Sequence, residues 1–182
     1  VYRMNEQFVE ASIAYSEAID RIDQIEPRHW GLFYTRGTTY ERSNQWSLAE
    51  ADFLKALELQ PDQPFVLNYL GYSWIDMGIN IEEATQMIIR AVEQQPAAGF
   101  IVDSLGWGYY KLGKYQEATK ELERALQLTP AEPTINDHLG DAYWKVGRKR
   151  EAVFQWQRAL DLGIDEASIA VIKDKIVNGL SD

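Results

Sequence analysis

The stretch Val102-Asp103-Ser104-Leu105-Gly106-Trp107-Gly108-Tyr109 decides the fold, because its pattern returns along the chain. It stands again at Leu67-Asn68-Tyr69-Leu70-Gly71-Tyr72-Ser73-Trp74 and at Asn136-Asp137-His138-Leu139-Gly140-Asp141-Ala142-Tyr143. Gly37 extends the series, and the four glycines are 34, 35 and 34 residues apart. An aromatic follows each glycine three residues later, at Tyr40, Trp74, Tyr109 and Tyr143. Small residues then recur at Ala49, Ala84, Ala118 and Ala152, and again at Ala56, Ala91, Ala125 and Ala159. Between them stand the bulky Phe53, Ile88, Leu122 and Trp156. Pro61, Pro96 and Pro130 close the first three units. A fixed period of this length is the signature of stacked supersecondary units.

Each unit reads as two antiparallel helices. Val102, Leu105, Gly106 and Tyr109 share one helical face; after the Lys111-Leu112-Gly113-Lys114 turn, Tyr115, Ala118, Leu122 and Ala125 share another. Small residues allow close helix approach, and proline ends one unit and starts the next. Ile79 or Asn80 is a one-residue insertion in the second unit's turn, and Gly163 is the expected C-cap of the last unit.

These residues resemble the tetratricopeptide repeat, with its W-x2-L-G-x2-Y, A-x3-F and P pattern. The resemblance implies an all-α, right-handed α-solenoid, with four full units at about 30–63, 64–98, 99–132 and 133–164. Residues 1–26 read as the second helix of a partial preceding repeat, carried by Phe8, Ala11, Tyr15 and Ala18, with Tyr2 at the end of a first helix. That helix is expected to run to about Ile25, and such a start predicts a chain cut from a longer array. Residues 165–182 read as a capping helix and a natural end, with Ile169, Ile172, Ile176 and Leu180 inward and Lys173, Asp174 and Lys175 outside. Two departures stand out. Arg36 replaces the leucine before Gly37, which predicts looser packing there, and the first tryptophan is Phe33, Leu67, Val102 or Asn136.

Composition bounds the chemistry. The chain has 182 residues, a net charge of −10, no cysteine and two histidines, His29 and His138. Disulfides, zinc–thiolate sites and cysteine nucleophiles are excluded, and so acidic a chain has no general attraction for nucleic acid or anionic lipid. No apolar run approaches the ~20 residues of a bilayer span. Ser104, His138 and Asp137 could be drawn as a triad, but helix packing puts neighbouring repeats about 10 Å apart, beyond hydrogen-bond reach. A polar residue at a helix contact is the better reading of His138. Asp103, Asp137 and Asp141 read as an acidic, solvated face rather than a metal site. Gly106-Trp107-Gly108 lacks the rest of a phosphate loop. Lys145, Arg148, Lys149 and Arg150 read as a solvated turn that complements a helix dipole. No enzyme activity, metal or cofactor is expected.

A second stripe runs beside the core stripe. Phe100, Asp103, Trp107 and Tyr110 follow at steps of three, four and three. The same register gives Phe65, Asn68, Tyr72 and Ile75, then Thr134, Asp137, Asp141 and Trp144, and in the first unit Gly31, Tyr34, Thr38 and Glu41. The resemblance implies that this stripe lines a concave groove, so Tyr34, Phe65, Asn68, Tyr72, Phe100, Asp103, Trp107, Tyr110, Asp137, Asp141 and Trp144 are the candidate partner-binding residues, with Lys111 and Lys145 at the edge. Aromatic anchors suit a protein segment with apolar and basic side chains. The carboxylate clamp of chaperone-binding relatives cannot form from Tyr34, Thr38, Tyr69, Phe100 and Ser104. The expected function is a non-catalytic adaptor or scaffold. The recognition arm of a larger enzyme or protease complex, or self-association as a homo-oligomer, are the alternatives. The run from Phe65 to Gly163 resembles the C-terminal part of long bacterial multi-repeat proteins, some of them envelope lipoproteins. That implies a periplasmic location, with cytoplasmic as the alternative.

Overall fold

Asn44, Gly113 and Gly147 adopt positive φ angles of 60°, 73° and 83°, and each turns a first helix into the second helix of its pair. In a computed structural model, which describes residues 7–180, the described residues form ten α-helices and no strand. They are α1 Phe8–Asp20, α2 Trp30–Arg42, α3 Trp46–Leu59, α4 Pro64–Met77, α5 Ile81–Gln94, α6 Gly99–Lys111, α7 Tyr115–Leu128, α8 Pro133–Lys145, α9 Lys149–Asp161 and α10 Glu166–Asn178. Between α4 and α5 both Gly78 and Asn80 have positive φ, at 72° and 47°, so the extra residue is absorbed in a double left-handed turn. Tyr2 lies outside the described residues.

The chain divides into two compact units, residues 1–70 and 71–182, with the boundary inside α4. In the first unit, α2 packs against α1 and α3. Gly37 lets α2 approach α3: a Cβ there would sit 2.8 Å from the Phe53 ring. Arg36 does not loosen this unit. Its guanidinium donates two 2.7 Å hydrogen bonds to the buried Asp52 carboxylate and one of 3.1 Å to Ser16 Oγ. It also lies over the rings of Phe33 and Tyr40, at 5.6 and 5.7 Å. A planar fork satisfied on both sides replaces the apolar contact of a leucine.

α1 stops at Asp20, short of the expected Ile25. Arg21, Asp23 and Gln24 are exposed, so continuing the helix would order residues with no apolar face to bury. Glu26, held extended before Pro27, then starts a short 3-10 turn in which its N–H donates to His29 Nδ1 at 2.9 Å. His29 is a structural cap.

In the second unit α6 packs on α5 and α7, α8 on α7 and α9, and α10 on α9. Gly71, Gly106 and Gly140 bring their helices against Ile88, Leu122 and Trp156, and an added Cβ would meet those side chains at 2.9, 2.6 and 2.5 Å. Asn136, at the usual tryptophan position, is buried and donates from Nδ2 to Glu132 O of its own helix at 2.8 Å. Gly163, at φ 82°, ends α9 with its N–H on Leu160 O, and Asp165 caps α10 through the Ser168 N–H.

Candidate functional site

The face of α6 carries Phe100, Asp103, Trp107 and Tyr110 in one register, and the structure gives them different roles. Phe100 is 51% exposed, while Asp103 is buried. His138 of α8 points its Nδ1 at both Asp103 oxygens, at 3.0 and 3.2 Å. The imidazole lies on the Trp107 indole, with ring centres 4.1 Å apart and planes 10° apart. Trp107 also stacks on Tyr110 at 4.8 Å, and the Lys111 ammonium sits 4.9 Å from the Trp107 ring centre. Burial disfavours charge on His138, but Asp103, aided by Asp137 and Asp141, outweighs it and raises the imidazole pKa above its ordinary value. Burial and the nearby Asp141 push the Tyr110 phenol up as well.

The matching face of α8 is occupied from within the chain. Lys175 of α10 places its Nζ 3.0 and 3.2 Å from the Asp137 oxygens and 2.8 and 3.0 Å from those of Asp141. Asp141 also accepts the Trp156 indole N–H at 2.8 Å. Burial raises the Asp141 pKa, against the pull of Lys175, and the two carboxylates raise that of Lys175 despite its own burial. Gly179 lies directly on the Trp144 ring, where no Cβ would fit, and Leu180 joins the same cluster. The acidic, solvated face expected from the sequence is therefore a buried ion-pair cluster. Lys175, expected outside the apolar stripe, crosses it because its long stem runs along the packed surface while its head reaches the carboxylates.

Of the other candidates, Tyr72 is half-buried, with its phenol pushed up to about 12 by burial, then by Asp76 and Asp103. In the first unit Tyr34 belongs to an aromatic cluster with Trp30, Phe53 and Tyr69, at ring distances of 6.0–6.2 Å. Phe65 is exposed, and Asn68 is buried. Asn68 Oδ1 has no hydrogen-bond partner among the described residues. Ser104 donates to Phe100 O at 3.0 Å, so it belongs to its own helix and not to His138. No group of three or more His, Asp or Glu among the described residues is placed to hold a metal ion. In the turn after α8, Arg148 pairs with Glu123 and Glu151 and lies over the Tyr143 ring, so the basic cluster is partly tied down rather than simply solvated.

Sequence reading missed the contacts between consecutive first helices. The signal was present in the spacing: Asp103 and His138 are 35 residues apart, and Asp141 and Lys175 are 34 apart. Each pair is separated by about one repeat.

Comparison with known proteins agrees with the geometry. Residues 31–63 match the tetratricopeptide repeat, and residues 108–147 match a second TPR repeat family. The TPR repeat-containing protein PA4667 of Pseudomonas aeruginosa is 32% identical over 88 residues, which is 48% of this chain and 15% of that protein. The chain thus matches only a small part of that relative's length. Pseudomonas aeruginosa PilF aligns with a TM-score of 0.77 at 18% identity, over 98% of this chain and 80% of that one. A crystal structure of MamA aligns at 0.70 and 22% identity, over 92% and 95%. Helix pairs, period, small-residue contacts and family matches agree: the chain is a tetratricopeptide-repeat protein.

Proposed function

We propose that the chain is a non-catalytic scaffold that holds a partner segment on the first-helix face of α6, with Phe100, Trp107 and Tyr110 as the contact residues. Tetratricopeptide arrays serve in general as protein–protein interaction scaffolds. The observation that supports this particular face is the combination of a fixed platform and an exposed anchor. Trp107 is clamped between His138 and Tyr110, and Phe100, two turns away, is half exposed. Rigid aromatics bind at little entropic cost.

The buried pairs refine the partner's chemistry. With Asp103 on His138, and Asp137 and Asp141 on Lys175, the carboxylates are engaged within the fold. Apolar side chains of the partner then supply most of the recognition, and basic ones contribute little. The small share of PA4667 that the match covers favours a second reading, in which this array is the recognition arm of a larger protein. The resemblance to envelope arrays extends the proposal to a periplasmic location, to be tested by fractionating cells that carry the full reading frame.

The test selects peptides from a displayed random library on the chain and measures their binding by titration. Phe100→Ser is expected to weaken binding at least tenfold with an unchanged melting temperature. Equal binding by Phe100→Ser and the parent chain would move the interaction off this face.

A further inference from the structure

Phe154 of α9 is 66% exposed. At the same register of the two preceding second helices stand Lys120 and Gln86, so the repeat pattern does not call for an aromatic there. Arg150 and Arg158 flank Phe154 one turn to either side, both exposed, and neither forms an ion pair with a described residue. Arg150 lies in the first turn of α9, where the helix dipole disfavours a cation. The stripe Arg150–Phe154–Arg158 thus does nothing for its own helix, and it is basic on a chain of net charge −10.

α1 carries the complement. Glu10, Ile13, Ala14 and Glu17 line an open hollow of about 250 Å³ on its exposed side, with Ile13 55% exposed at its floor. A cavity of about 150 Å³ already accepts a benzene ring. Neither glutamate forms an ion pair with a described residue. At a rise of about 1.5 Å per residue, the two glutamates stand about 10 Å apart along α1 and the two arginines about 12 Å apart along α9.

We propose that α9 of one copy docks on α1 of a second copy, with Phe154 in the hollow and Arg150 and Arg158 against Glu10 and Glu17. The two faces differ, so the contact is head to tail and builds rings or open chains of copies rather than a symmetric pair. This interface is separate from the α6 face.

Sedimentation of the 182-residue chain across a wide concentration range, at low and high salt, tests the proposal. Average mass is expected to rise with concentration and to fall with salt. Phe154→Ser is expected to weaken association about tenfold or more while leaving the thermal melt unchanged. Arg150→Glu/Arg158→Glu and Glu10→Lys/Glu17→Lys are each expected to stay monomeric alone and to associate when mixed, because each then offers the charge the other needs. A parent chain that stays monomeric throughout, association indifferent to Phe154→Ser, or a mixture no heavier than its components would each overturn the proposal.

Discussion

The imidazole of His138 lies flat on the indole of Trp107, with ring centres 4.1 Å apart, while its Nδ1 faces Asp103. Trp107 therefore serves two purposes, as part of the α6 face and as a packing surface for α8. Replacing it with alanine is expected to weaken partner binding and also to lower the melting temperature, whereas Phe100→Ser changes binding alone. A thermal melt of both variants separates the two roles.

The same pair makes stability depend on pH. The folded-state pKa of His138 is raised above its ordinary 6.5. Its contribution is complete below the unfolded pKa and is lost as pH rises through the raised folded value. The melting temperature is expected to fall between about pH 6 and 9, and His138→Gln is expected to flatten that part of the profile.

Lys175 neutralises two carboxylates at once. Lys175→Met is expected to destabilise the chain by about 3 kcal/mol, since Asp137 and Asp141 then remain buried without a cation. Adding Asp137→Asn should recover part of the loss. Urea titrations of the single and double variants measure both effects.

Arg36 and Asp52 form a pair that hydrophobic residues can replace. Arg36→Leu restores the common repeat residue, yet it is expected to cost about 3 kcal/mol because Asp52 is left buried and unpaired. Arg36→Leu/Asp52→Leu is expected to come back close to the parent stability. Chemical denaturation of both variants checks the sign of each change.

Glycines in the array are not equivalent. Gly140→Ala would bring a Cβ to 2.5 Å from Trp156 and is expected to cost about 1–3 kcal/mol. At Gly31, within α2, a Cβ meets nothing within 4 Å. Gly31→Ala is expected to stabilise by about 0.5 kcal/mol through a less flexible unfolded chain. Melting temperatures of the two variants should therefore move in opposite directions.

The repeat was legible because its determinants are local. The glycine in each first helix and the Phe53, Ile88, Leu122 or Trp156 that it meets lie about half a period apart, and their spacing reports their contact. The left-handed turns at Gly113 and Gly147 announce themselves by residue type. What escaped reading is the part decided by reach rather than by face. Lys175 sits on the flank of α10, where helical periodicity marks it as outward, and only its stem length carries the ammonium to Asp137 and Asp141. Arg36 looked like a packing defect because its partner Asp52 is on another helix. The end of α1 escaped too, since no glycine or proline marks Asp20, and the helix stops simply where its apolar face ends.

The links from Asp103 to His138, and from Asp137 and Asp141 to Lys175, also bear on how such an array can change in copy number. Each unit here carries the counter-charge of its successor, so the units are not interchangeable tiles. Excising residues 133–164 by unequal exchange would set Lys175 against Asp103 and Trp107, with one carboxylate where it now has two. Inserting a copy between α9 and α10 would preserve both links. Growth at that junction is tolerated by the charge pattern and loss is not, which gives this end of the chain a preferred direction of length change.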